Sequence, residues 1–524
     1  MQRVERERVE RDLAPAAVYR AVDGRALLER GARGWPATVV FAEPVDSFRY
    51  RRGADTESAT GFERLRRWLT DAGVALAGSD EPWRSTPATG AVGFLGYDLA
   101  AELETLPDET VRDVALPDVA VDLYDTGVRV EEDALLVEGV AHERQRCPPS
   151  ERVATLAARL RSADPVTDEP GRIGVDGLTV NVDRETYVAG VEHVKERIRA
   201  GDTFQANVSQ RLTFETAARP VDLYAALRET NPAPYMGLFE SGDPDDGERY
   251  AVVSTSPELL LRRSGRRLRT RPIAGTRPRG DDAEADDALR AELTASEKER
   301  AEHSMLVDLA RNDLGAVSAY GSVEVERFLE TVPYAAVRHL ESVVTGDLRE
   351  GADTLDAVRA VFPGGTVTGA PKPRTLAIID EVEPVERGPY TGAMGRIGFD
   401  GDATLNMLIR TVVVDGERCH LQVGGGVVHD SHPRREYAET LHKAAAVLEA
   451  FETDGERLTA DDVAAVGPDS EPGRGREHGQ GHGHEREREG DSGAGSDGER
   501  ESDSGAGGDG ERERGRPPRG EGRD

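Results

Sequence analysis

The sequence predicts an α+β fold built on antiparallel sheets. Strand-like runs follow one another in adjacent pairs more than they alternate with helices, which disfavours a doubly wound parallel sheet. The 524 residues suffice for two to four ordinary domains of roughly 100–200 residues, or one unusually large one, so a sizeable core can form. In chain order, the alternating run Thr38–Ala42 (TVVFA) reads as a strand, Thr60–Ala75 as a helix and Leu116–Asp133 as alternating strand. The polar stretch Pro165–Arg172, with its Pro and Gly, reads as a linker dividing an N-terminal region 1–170 from a main region 171–455. There follow helix Arg184–Ala200, strands Asn207–Phe214 and Tyr250–Ser254, helix Ala288–Leu309, strands Met394–Phe399, Leu405–Val414 and Cys419–Val423, and helix Arg434–Phe451. Residues 467–524 are dominated by Gly, Glu, Arg, Asp and Ser, with near-repeats starting at Asp491 and Asp503. Such a segment cannot repay its ordering entropy and reads as a disordered tail. His478, His482 and His484 within it are incidental.

Charge excludes several function classes. Asp and Glu number 99 against 67 Lys and Arg, a net charge of −32, and the tail accounts for only 16 acids and 10 arginines, leaving −26 on the body. Sequence-independent nucleic-acid or anionic-membrane binding lacks its basic surface. Four cations are lysine, namely Lys195, Lys298, Lys372 and Lys443. Together with the acid excess this fits a halophilic enzyme whose self-repulsion is screened by salt. Two dissimilar cysteines, Cys147 and Cys419, make neither a disulfide framework nor a metal cluster, and no apolar run approaches the ~20 residues of a membrane span. A soluble, cytoplasmic protein is expected.

Several constellations can carry chemistry. Glu299 and Glu302 lie three apart, hence on one helix face, and Glu302 shares its stripe with Met305, Leu306 and Leu309. A carboxylate aimed into an apolar face is costly unless paired or metal-bound. Glu436 and Glu439 repeat the spacing in the last helix, and two helices each offering oxygens suit a hard cation such as Mg2+. In a chain this acidic, spacing alone favours solvated helix faces. Gly424, Gly425 and Gly426 end a strand, and consecutive glycines let backbone N–H groups close on an anion, although a tight turn is the commoner reason for them. Arg410 ends an apolar strand and can take a carboxylate bidentately. Gly275 and Thr276 (TRPIAGTRPRG) and the loop Phe362–Arg374 add further glycine-rich turns. Glu258 and His339 are lone proton-transfer candidates, and such residues are more often structural. No P-loop and no G-x-S-x-G elbow is present.

Read together, GDTFQANVSQR, NPAPYMGLF, STSPELL, RPIAGTRPRG, EKERAEHSMLVDLARNDLG, VRHLES, FPGGTVTGAPKPR, YTGAMG, LNMLIRT and GGGVV, running from about Asn181 to Phe451, resemble the chorismate-utilising enzymes. That family comprises anthranilate synthase component I, aminodeoxychorismate synthase component I, and the isochorismate and salicylate synthases. The resemblance implies two large packed antiparallel sheets flanked by helices, with Mg2+ holding the substrate carboxylate. It implies Glu302 and Glu439 as metal ligands, supported by Glu299 and Glu436. Tyr390, Arg410 and Gly424–Gly426 match positions that hold the enolpyruvyl side, and Gly275 and Thr276 another substrate contact. Glu258 matches the acid at the C4 hydroxyl, with His339 and Thr366 near the reacting ring. A glutamine amidotransferase subunit supplying ammonia is the implied partner.

The branch follows from departures within these motifs. Gln205 stands where isochorismate and salicylate synthases carry a water-activating lysine, so an ammonia-adding branch is favoured. Ala274 replaces the adduct-forming lysine of many aminodeoxychorismate synthases, which leans toward anthranilate synthase. Asn207, Gly364–Thr366, Leu405-Asn406 and Gly425 lean toward aminodeoxychorismate synthase. In the tryptophan feedback site Pro234, Tyr235 and Met236 are present, but Leu27-Leu28-Glu29 is followed by Arg30 in place of the family's serine. The expectation is aminodeoxychorismate synthase component I, with anthranilate synthase component I as the alternative. A non-catalytic chorismate- or tryptophan-binding regulator would not need Glu258, Glu302, His339 and Glu439.

Overall fold

Two face-to-face sheets, each with helices on its outer face, leave strands such as Gly90–Leu95, Val119–Tyr124 and Tyr250–Ser256 buried on both sides. The computed structural model describes residues 4–466, apart from 32–36, 55–57, 80–85, 108, 145–146, 165–170, 242–248 and 335–336. Most of the Pro165–Arg172 linker, and the tail from Gly467 with its three histidines, lie outside the described residues. One sheet has twelve strands and the other ten. The pairings within both are antiparallel, so the α+β expectation holds and short hairpins can connect neighbours. Between the layers Phe94 of strand Gly90–Leu95 meets Phe239 and Tyr250 edge-on, at ring-centroid separations of 5.9 and 6.2 Å. Phe41, Tyr124, Met394 and Val413 complete this inter-sheet core. The outer face of the larger sheet is covered by helices that include Arg184–Ala200 and Pro433–Leu448, and that of the smaller by helices that include Gly61–Asp71 and Thr354–Val361.

The strands before residue 165 are built into both layers. Gly24–Arg30 and Ala37–Ala42 belong to the larger sheet, whereas Asp46–Tyr50, Gly90–Leu95 and Val119–Tyr124 belong to the smaller. The linker therefore separates stretches of chain inside one packed body. Local signals fix several boundaries well. Helix Arg184–Ala200 starts on the Asp183 cap and ends at Gly201, whose φ of 82° is left-handed, as expected of a C-terminal glycine. Helix Gly61–Asp71 opens on a capping box in which Thr60 and Glu63 satisfy each other's backbone N–H groups.

Three expectations are corrected. The single helix Ala288–Leu309 is two helices, Ala283–Ala295 and Glu297–Gly315, because the Ser296 hydroxyl accepts from the Glu299 N–H at 3.3 Å and starts a new helix. Leu116–Asp133 is two strands in different sheets, Val119–Tyr124 and Thr126–Val130, joined through buried Asp125. Leu405–Val414 divides likewise into Ala403–Met407 in the smaller sheet and Thr411–Asp415 in the larger. The crossing is made at Arg410, whose φ of 52° no extended strand tolerates. The Arg410 crossing ties the layers together beside His339.

Candidate active site

Strand Ile273–Pro278 pairs with Val337–Asp347 so that Thr276 faces His339 directly. The His339 Nδ1 lies 3.0 Å from Thr276 Oγ1 and 3.2 Å from the Gly275 carbonyl, so this one nitrogen is held from two sides. Its Nε2 is buried without a hydrogen-bond partner among the described residues. Burial, then the nearby Arg410 charge, push the imidazole down to about 4, opposed by the Gly275 carbonyl. His339 is therefore neutral near pH 7. Arg410 has a half-buried side chain that makes no ion pair or side-chain hydrogen bond among the described residues, and burial lowers its pKa. A desolvated guanidinium without an internal carboxylate suits an anionic ligand.

Gly275, at φ 62°, is left-handed. A Cβ there would also stand 2.9 Å from Glu299 Oε2, so the glycine brings the strand against helix Glu297–Gly315. From that helix Glu299 and Glu302, and from helix Pro433–Leu448 Glu436 and Glu439, form one electrostatic cluster. Burial raises the Glu302 pKa, as do the Glu299 and Glu439 charges, while Lys298 and Lys443 oppose. Burial also raises Glu436, with Glu439 adding and Ser431, Lys298 and Lys443 opposing. Four carboxylate side chains, two of them pushed toward the neutral acid by burial and by their neighbours' charge, fit a hard divalent cation in donor type and charge. Lys443 Nζ is 2.8 Å from Glu439 Oε1 and donates to the Gly424 carbonyl at 2.8 Å, joining the cluster to the glycine run.

The glycine run is a close approach. A Cβ on Gly424 would lie 2.5 Å from Asn207 Oδ1 and 2.8 Å from Tyr390 Oη. On Gly426 it would lie 2.6 Å from Gln205 Nε2, and on Gly425 it would point at Glu436 and Glu439, 3.4 and 3.8 Å away. The side-chain carbonyls of Gln205 and Asn207 are buried with no partner among the described residues. Tyr390 is fixed by Arg387, whose guanidinium lies 5.7 Å from its ring centroid and 4.5 Å from that of Tyr97. Arg387 also binds Glu383 with two nitrogens at 2.6 and 2.7 Å and donates to the Asn207 carbonyl at 2.7 Å.

Glu258 closes the other end. It is 5 % exposed, and the Ile273 N–H donates to its Oε1 at 3.3 Å. Burial pushes its carboxyl up to about 8, against the opposing hydrogen bonds of Thr366 and Ile273, with Glu341 adding a little. Thr366 follows Gly364 and Gly365 in the loop beside it. A neutral carboxylic acid thus faces the groove at pH 7.

The expected residues therefore converge: Glu258 and Thr366, then Gly275, Thr276, His339 and Arg410, then the four glutamates, then Gly424–Gly426 with Gln205 and Tyr390. Pro234, Tyr235 and Met236 lie elsewhere, in or beside strand Tyr235–Ser241, which pairs with Gly24–Arg30. Asn207, Lys443 and Arg387 are site neighbours that local sequence does not reveal, though the scarcity of lysine marks Lys443. Lys372 is ion-paired to Asp313 at 2.9 Å. Among the described residues, the acidic trio whose oxygens lie within 4.8 Å of one another is Asp98, Asp118 and Glu386, away from the expected quartet. Arg112 binds Asp118 and Glu386, and Arg52 binds Glu386 at 2.7 Å, so two of the trio are already neutralised by protein cations. The quartet's oxygens do not reach that spacing.

Fold and site define a two-layer α+β protein in which a neutral acid, a neutral imidazole, a desolvated guanidinium and an all-carboxylate cluster are brought near one another. A family model described as chorismate binding enzyme matches residues 24–449. Anthranilate synthase component 1 1 of Haloarcula marismortui is 51 % identical over 417 residues, covering 76 % of this chain and 83 % of that protein. Aminodeoxychorismate synthase component 1 of Bacillus subtilis is 41 % identical over 367 residues, covering 69 % and 77 %. The crystal structure of anthranilate synthase component I from Streptococcus pneumoniae superimposes with a TM-score of 0.69 at 30 % identity, covering 79 % of this chain and 93 % of that one. The chain belongs to the chorismate-binding enzyme family, and is an enzyme acting on chorismate. No helix among the described residues is long and apolar enough to cross a membrane.

Proposed function

We propose that this enzyme is aminodeoxychorismate synthase component I: it replaces the C4 hydroxyl of chorismate by an amino group, using ammonia from a glutamine amidotransferase subunit, and keeps the enolpyruvyl side chain. In this reading Glu302 and Glu439, backed by Glu299 and Glu436, would hold Mg2+, which would supply positive charge for a substrate carboxylate. Arg410, Tyr390 and the Gly424–Gly426 N–H groups receive the enolpyruvyl carboxylate. Gln205, whose side-chain carbonyl is buried and unpartnered, accepts a hydrogen bond from ammonia. Glu258 in its acid form gives its proton to the departing C4 oxygen, which leaves as water while ammonia bonds to C2. A second ammonia then bonds to C4 as the C2 ammonium leaves as ammonia, so the ammonium charge passes from C2 to C4. Ala274 offers no lysine for a covalent adduct, so ammonia itself attacks.

One observation carries the branch. Arg30 is 6 % exposed, its guanidinium lies 5.9 Å from the Tyr235 ring centroid, and it donates to the Thr404 carbonyl at 3.1 Å. A buried arginine against Tyr235 suits an enzyme free of tryptophan feedback. The relatives favour a second reading at least as strongly: anthranilate synthase component I, in which the same C2 adduct loses pyruvate with His339 assisting. The test is product identity with chorismate, Mg2+ and ammonium in high salt. A product retaining the enolpyruvyl group, and converted to p-aminobenzoate by aminodeoxychorismate lyase, supports the first reading. Anthranilate with pyruvate, formed without the lyase, establishes the second.

A further inference from the structure

Glu258 has a second side. Behind it lies a small cavity of about 30 Å3, walled by Thr366, Leu306, Ala310, Asp313 and Met407 among others. It shares Glu258 and Thr366 with the groove, but none of His339, Tyr390, Arg410 or the three glycines. Its lining also carries the Thr270 and Thr366 side chains, and its two titratable groups among the described residues are Glu258 and Asp313. Asp313 occupies the last turn of helix Glu297–Gly315, is 9 % exposed, and is flanked by exposed Asn312 and Gly315. Its Oδ2 accepts from Lys372 Nζ at 2.9 Å, whereas its Oδ1 has no hydrogen bond among the described residues. A cavity of this size lined by two carboxyl groups has room for about one bridging water.

Any reaction in which Glu258 protonates the C4 oxygen so that it leaves as water strips Glu258 of a proton at every turnover. Direct return from solvent is slow for a group this buried. We propose that Asp313, held by Lys372, reloads Glu258 through water in this cavity. Asp313 takes a proton from solvent at the helix end. A cavity water then donates one proton to the Glu258 carboxylate as it accepts one from Asp313, and Lys372 balances the Asp313 carboxylate left behind. No electrons are transferred and the charge count closes. The other charged group near Glu258 is Glu341, itself engaged by Arg271 and by the Tyr334 hydroxyl at 2.9 Å, so it is not a free donor.

The inference rests on Glu258 being the acid, and the experiment separates the two. Chorismate consumption is measured at pH 7.5 with Mg2+ and ammonium, in steady state and as a single turnover with enzyme in excess. Asp313→Asn is expected to leave the single-turnover rate within about twofold of wild type, because Glu258 starts protonated, and to lower steady-state turnover by about tenfold. Added formate restores the steady state. Lys372→Gln, which keeps the carboxylate but removes its cation, shifts the steady state in the same direction and by less, and covers the case in which the first variant folds poorly. Equal loss in both regimes, or no loss in either, overturns the relay. A Glu258→Gln enzyme that still completes the first turnover at the wild-type rate overturns instead the reading of Glu258 as the acid.

Discussion

Replacing Glu258 by glutamine removes one proton from the groove and leaves its shape. The carboxyl is raised from 4.5 to about 8 by burial. At about 1.4 kcal/mol per pH unit, ionising it inside the fold costs about 5 kcal/mol more than in the unfolded chain. Because the folded value is the higher one, the stabilising contribution is present in full below pH 4.5 and is lost as pH rises through about 8. Glutamine mimics the neutral form at every pH. The unfolding free energy of wild type minus that of Glu258→Gln should therefore decline by about 1.4 kcal/mol per unit between the two values, while all other titrations cancel in the difference. Chorismate consumption by the variant should fall by roughly 10²–10⁴. Denaturant unfolding of both proteins in one high-salt buffer series, where the −32 net charge is screened, reads the first quantity, and product chromatography the second. Parallel stability curves, or a variant within threefold of wild-type activity, would refute the argument that a buried neutral acid serves the C4 oxygen.

Three further outcomes are expected. Gly424→Ala puts a methyl 2.5 Å from Asn207 Oδ1 and 2.8 Å from the Val208 carbonyl, and should cost about 1–3 kcal/mol in thermal or denaturant melts together with loss of chorismate binding. Arg410→Lys keeps the charge but loses the fork, so KM for chorismate should rise by about tenfold, some 1.4 kcal/mol, in steady-state kinetics with kcat less affected. Glu302→Gln removes a carboxylate that is repelled by the Glu299 and Glu439 charges. It should weaken Mg2+ binding by calorimetry by at least about tenfold, and raise the melting temperature in EDTA because repulsion is relieved; an unchanged Mg2+ affinity would remove Glu302 from the ligand set.

Helix ends were legible where a side chain writes its own boundary, as at Thr60, Asp183 and Gly201. They were missed at Ser296, where a cap sits inside one continuous helical pattern. The glutamate pairs were visible as i,i+3 spacings, but the same spacing is common in so acidic a chain, and only family motifs distinguished them. The contacts of Asn207, Arg387 and Lys443 within the site carried no local signal because their partners are contributed by other strands and helices.

What the amino-acid sequence determined alone is therefore what short range controls: strand and helix identity over most of the chain, the antiparallel character, the acidic solvated surface, and the residue types able to bind a carboxylate or move a proton. The tertiary structure decided which sheet each strand entered. Runs 116–133 and 405–414 look continuous because alternation has the same period on either side of a crossing, and nothing local reports that Asp125 or Arg410 turns the chain from one layer to the other. It also decided the chemistry of the collected groups. The acid at Glu258, the neutral imidazole at His339 and the unpaired guanidinium at Arg410 are properties of burial and of neighbours far away in sequence, and desolvation exists only once the two layers have closed.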